Sequence, residues 1–127
     1  MIEQSNPGVK ISIDMKKYRI RFHKSTLHAL GDPPYVQLLV NPSQGVVALR
    51  AVDRYSSGDS IHRVSRKQLQ SANSVEIYSM SLVHTLMQVV PHLVDGRVYH
   101  MSGELVPSEN LALFRFDTLK EYTEGES

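Results

Sequence analysis

Nine of the eleven cations in the first 67 residues stand in two groups, Lys16, Lys17, Arg19, Arg21 and Lys24, then Arg54, Arg63, Arg66 and Lys67. Arg19 and Arg21 alternate with Ile20 and Phe22, so a strand here would carry both guanidiniums on one face and apolar side chains on the other. A guanidinium is planar and always charged, and it can make paired hydrogen bonds to phosphate oxygens. The chemistry these residues suit is therefore anion binding, above all of phosphate. His28 and His84 fall at matching places in two similar segments, each beside the apolar stripe of its helix, and are candidate ligand or interface contacts.

Catalysis has no comparable signal. The chain lacks a phosphate-cradling Gly-x-x-x-x-Gly-Lys-Ser/Thr loop, a Gly-x-Gly-x-x-Gly turn, a His-Glu-x-x-His pair and a Gly-x-Ser-x-Gly elbow. There is no cysteine, and no two histidines are spaced to share a helical face, so neither a metal nor another cofactor is expected. No run of about 18 apolar residues is present and no basic-then-apolar leader opens the chain, so no membrane partner and a cytoplasmic location are expected. Charge divides unevenly: residues 1–67 carry 11 Lys+Arg against 5 Asp+Glu, and residues 68–127 carry 3 against 8. A basic half and an acidic half suit either a phosphate-facing surface or association of one half with the other.

The elements that must position the cations follow from periodicity. Val9 to Asp14 and Tyr18 to Phe22 alternate as strands. A short helix begins near Lys24 or Ser25 with a serine cap and stops at Gly31. Tyr35 to Val40 and Val46 to Val52 form a hairpin across Asn41-Pro42-Ser43-Gln44-Gly45. The pattern then returns. Ser25-Thr26-Leu27-His28-Ala29-Leu30 is echoed by Ser81-Leu82-Val83-His84-Thr85-Leu86, and Pro42 to Arg50 by Pro107 to Arg115. Two copies in the same order predict one α+β domain of two tandem strand-helix-hairpin units sharing a core, with a mainly antiparallel sheet and two short helices. The boundaries are 9–53 for the basic unit, 54–72 for a linker, 73–117 for the acidic unit and 118–127 for a flexible tail.

The stretch Arg19 to Gly31 with its following hairpin resembles the strand, short helix, Leu-Gly stop and returning hairpin of AbrB-type swapped-hairpin regulators. Lys24, Ala29, Leu30 and Gly31 stand where that family often has Lys, Ala and Leu-Gly. The duplicated layout resembles the MraZ-like branch. The resemblance implies DNA-binding dimers or larger rings with interleaved strands, in which basic strand and loop residues meet phosphates. In the second copy Leu86-Met87 replaces the Leu-Gly stop and the cations are gone, so DNA is expected at the first copy.

The expected function is thus that of a non-enzymatic, small oligomeric DNA-binding regulator using the basic strand face. The alternative is a phage or mobile-element accessory protein of an anti-defence kind. Its oligomer would sequester a small anionic nucleotide ligand or mask a host protein.

Overall fold

Strand after strand of this chain is apolar on one side only, and the helices between are too short to cover a sheet. The computed structural model describes residues 9–54, 61–71, 73–90 and 93–122. Residues 55–60 and 72 of the expected linker and 123–127 of the expected tail lie outside these. Nine strands are described: β1 (Val9–Asp14), β2 (Arg19–His23), β3 (Tyr35–Asn41), β4 (Val46–Val52), β5 (Ile61–Arg63), β6 (Ser74–Tyr78), β7 (Val98–Val106), β8 (Leu111–Arg115) and β9 (Lys120–Glu121). Three α-helices accompany them, α1 (Lys24–Ala29), α2 (Arg66–Ser71) and α3 (Met80–Val89).

The strands form one antiparallel sheet in the order β5-β3-β4-β8-β7-β1-β2-β6, with β9 added to β7, and the sheet curls into a nearly closed barrel. This corrects the expected α+β arrangement of two tandem strand-helix-hairpin units. A six-residue helix is about 9 Å long and cannot shield one face of a sheet. A sheet curled on itself buries every inner face without help. The ladders show it: Ile77, Ile20, Ile13 and Tyr99 lie side by side across four strands, as do Val75, Phe22, Ile11 and Met101. All eight are buried. Phe114 and Val47, and Ala112, Leu49 and Leu38, fill the other wall.

The described parts of the expected linker and tail also join the sheet or pack on it. Residues 61–63 pair with β3, and α2 packs along β6. Glu121 and Lys120 pair with Tyr99 and His100. Charged and polar composition concealed both segments, because a three-residue or two-residue strand is too short for a period to show.

Equivalent segments are related by a twofold axis. β4 and β8 pair with Ala48 opposite Leu113, and these two positions also correspond in the sequence repeat, 65 residues apart. β2 and β6 pair with Arg21 opposite Glu76 at their centre. Exchanging β1 with β5, β2 with β6, β3 with β7 and β4 with β8 leaves the strand order unchanged when it is read as a ring. The same correspondence matches Tyr35 with His100, Leu38 with Gly103, Arg50 with Arg115 and Val52 with Asp117. It also matches Arg63 with Ser12 and Ser65 with Asp14, because Tyr35 pairs with Arg63 as His100 pairs with Ser12.

Two departures from symmetry shape the molecule. Between β5 and β6 the ring stays open, and Gln68 Oε1 of α2 accepts the Glu76 backbone N–H at 2.9 Å where a strand would have. At Gly103, β7 leaves β1 and takes up β8, and the two chains come so close that an added Cβ would lie 1.7 Å from the Leu113 carbonyl oxygen. Only glycine fits there.

Candidate anion-binding face

Arg19 and Arg21 do share the outer face of β2, but their charges are already met. Arg19 Nη2 lies 3.2 Å from Asp14 Oδ2 and its Nη1 3.6 Å from Glu76 Oε2. Arg21 donates to Glu76 Oε2 from Nε at 3.1 Å and from Nη2 at 2.6 Å. Asp14 is buried, and its other oxygen accepts the backbone N–H groups of Lys16 and Lys17 at 3.0 Å each. A buried carboxylate requires such partners. The basic and acidic halves thus meet within one chain. Lys16 and Lys17 are exposed in the turn after β1. Half-buried Lys24 begins α1, and its backbone N–H is held by the Asn73 carbonyl at 2.9 Å.

The remaining arginines of residues 1–67 gather elsewhere. Arg50 faces outward from β4, Arg54 follows that strand, Arg63 ends β5 and Arg66 begins α2. All four are exposed, and none forms an ion pair among the described residues. Pairing of Tyr35 with both Arg63 and Val52, and of Gln37 with Arg50, places Arg50 and Arg63 on one outer surface, β4-β3-β5. Arg63, Ser65 and Arg66 line an open cleft of about 550 Å³ with Pro34, Tyr35 and Val64. Arg50 lines a second, of about 420 Å³, where Asp32 and Asp53 also stand without reaching ion-pair distance of it. Exposed Lys67 follows Arg66 on α2.

The twofold shows why these cations stay open. Arg115, the counterpart of Arg50, is clasped by Asp117 through two 3.3 Å hydrogen bonds that raise its pKa. The residue matching Asp117 is Val52. Likewise Asp14 corresponds to Ser65, which keeps the capping duty by accepting the Gln68 N–H at 3.2 Å but brings no charge. Twice, a carboxylate on one half of the barrel is a neutral residue on the other. Arg50 lies within a hydrophobic strand and apart from the two cation groups, yet the repeat carries the signal: Arg50 aligns with Arg115, and two residues on Val52 aligns with Asp117.

The histidines have local duties. His28 pairs with Asp32 at 2.5 Å, both exposed, and His84 meets Tyr18 edge-on with ring centroids 5.4 Å apart. His23, not a serine, caps α1, its Nδ1 accepting the Ser25 N–H at 3.0 Å, whereas Ser79 caps α3 by accepting the Leu82 N–H at 3.2 Å. His62 pairs with inward-facing Val36, and its Nε2 is buried without a hydrogen-bond partner. Burial lowers its pKa. No helix among the described residues is long and apolar enough to cross a membrane.

The chain matches no protein-family model, and comparison with curated proteins and with solved structures finds no match either.

Proposed function

We propose that this is a non-enzymatic nucleic-acid-binding protein that contacts the phosphates of duplex DNA through Arg50, Arg54, Arg63 and Arg66. The observation that carries this reading is the open charge of these arginines on one half of the barrel, where the matching positions of the other half hold paired or neutral residues. The resemblance of residues 19–52 to AbrB-type regulators supports it, as does the interleaving of strands from both copies in one core. Arg19 and Arg21, also expected to meet phosphates, are paired with Asp14 and Glu76 and stand outside this face. A single chain supplies both halves of the twofold barrel, so an oligomer would extend the basic face rather than complete the core.

Fluorescence anisotropy with a labelled duplex at low salt tests the reading. Four phosphate contacts give a log–log salt slope of about −3.6, and the double variant R50A,R63A reduces its size by about 1.8. Absence of duplex binding at about 50 mM salt overturns it.

One observation favours the second reading, capture of a small nucleotide: the Arg63–Arg66 cleft is concave and has the volume of a small-molecule site. Under that reading mononucleotides or cyclic nucleotides raise the melting temperature, R66A removes the rise, and duplex has no effect.

A further inference from the structure

The other half of the barrel carries an aromatic surface beside its paired arginines. After β8 the chain is strapped back along β7: Thr118 Oγ1 accepts the Ser102 N–H at 2.8 Å, and the Tyr122 N–H donates to the Val98 carbonyl at 2.8 Å. The strap lays the Tyr122 ring on His100, with centroids 5.0 Å apart and planes 10° from parallel. Tyr122 is 44% exposed, which leaves open the ring face turned away from His100. The stack divides two clefts. Lys10, Ser102, Thr118 and Lys120 line one of about 540 Å³, and Ser12, Arg19, Arg21 and Val98 line one of about 420 Å³. Both also hold a carboxylate, and each is already engaged, Glu121 with Arg97 at 2.5 Å and Asp14 with Arg19 at 3.2 Å. Lys10 and Lys120 are exposed, and Arg21 spends only Nε and Nη2 on Glu76, so its Nη1 still has donors to offer.

We infer that this surface binds single-stranded nucleic acid, with one base stacked on Tyr122 and the phosphates on either side meeting Lys10 and Lys120 in one cleft and Arg21 in the other. A ring flanked by cations on both sides fits a strand that passes across it. A mononucleotide has phosphate on one side only, and a duplex keeps its bases stacked on one another. Base–aromatic stacking contributes about 1–3 kcal/mol per base whatever the base, so this recognition is tolerant of sequence. In the sequence Tyr122 and His100 stand far from Arg21. It is the pairing of β7 with β1 and of β1 with β2 that brings Tyr122 and His100 beside Arg21.

The test is anisotropy with a labelled eight-residue oligothymidine and, separately, with blunt duplex. The oligothymidine binds at low salt, Y122A weakens it by about tenfold or more while Y122F retains it, and K10A,K120A reduces the salt slope by about 1.4. Y122A leaves duplex binding in place, and R50A,R63A weakens duplex binding only. Unchanged oligothymidine affinity in Y122A, equal binding of thymidine monophosphate, or loss of both probes together in R50A,R63A overturns the inference. Failure of duplex binding alone overturns the duplex reading and leaves this one standing.

Discussion

The two hairpins of this barrel, β3-β4 and β7-β8, occupy matching places about the twofold and differ most in what surrounds their arginines. On β8, Arg115 is clasped by Asp117, and beside β7 the paired strand β1 brings Asp14 to Arg19. On β4, Arg50 has Val52 two residues on, and beside β3 the strand β5 leads into Ser65. The backbone is repeated and the charge balance is not. The exposed Arg115–Asp117 pair contributes little stability, so a neutral residue in place of Asp117 costs the fold almost nothing and changes what the surface attracts. A duplicated scaffold can therefore open an anion-binding face partly by losing carboxylates, as at Arg50, and partly by carrying a cation on one half alone, as at Arg63, whose counterpart is Ser12.

The largest test of the comparison lies at Leu38 and its counterpart Gly103. Gly103→Ala drives a Cβ into the Leu113 backbone and costs about 4 kcal/mol or more, enough to abolish the cooperative melting transition. Leu38→Ala at the matching site leaves a cavity and costs about 3 kcal/mol, a folded but weakened barrel. Equal melting temperatures for the two variants would show that the close approach of β7 and β8 can relax.

Next come exchanges of charge between the halves. Ser65→Asp copies Asp14 into the basic face: the cap on α2 is preserved, so the melting temperature holds, while duplex affinity falls about tenfold. Val52→Asp does the same beside Arg50, and unaltered salt dependence in both variants would detach these arginines from binding. In the opposite direction Glu76→Gln frees Arg21 and leaves Arg19 to Asp14; it costs about 1 kcal/mol and raises polyanion affinity about threefold.

The smallest effect is pH dependence at His62, whose counterpart is the buried Ile11. Its folded pKa lies below the ordinary 6.5, so the unfolded chain binds the proton more readily. Stability is complete above about pH 6.5 and falls as the pH drops from there toward the folded pKa. His62→Leu flattens that decline, measured as melting temperature between pH 7 and pH 5; an unchanged profile would place the acid sensitivity elsewhere.

The sequence disclosed what is local and concealed what is distant. Alternation located β1 and β2, the hairpin turn located β3 and β4, Gly31 ended α1 with a φ of 88°, and the echo of Pro42–Arg50 in Pro107–Arg115 turned out to mark strands that pair across the axis. Which strands become neighbours was not legible, because β4 meets β8 and β1 meets β7 through contacts scores of residues apart. The same distance hid the fate of Arg21, whose partner Glu76 belongs to the other copy. Gln68 gave no sign of its role: a glutamine in a six-residue helix stands in for a whole strand edge only once the barrel has curled.

The interleaved strand order also governs how the chain comes together as it is made. The β1-β2 and β3-β4 hairpins can pair as soon as they emerge, but the second edges of β1 and β4 wait for β7 and β8. Until residues 98–115 arrive, two apolar strand edges stay unpaired and open to other chains. Contacts this distant in sequence place folding on the order of milliseconds to seconds. A chain stopped short of Val98 is expected to aggregate rather than to form half a barrel.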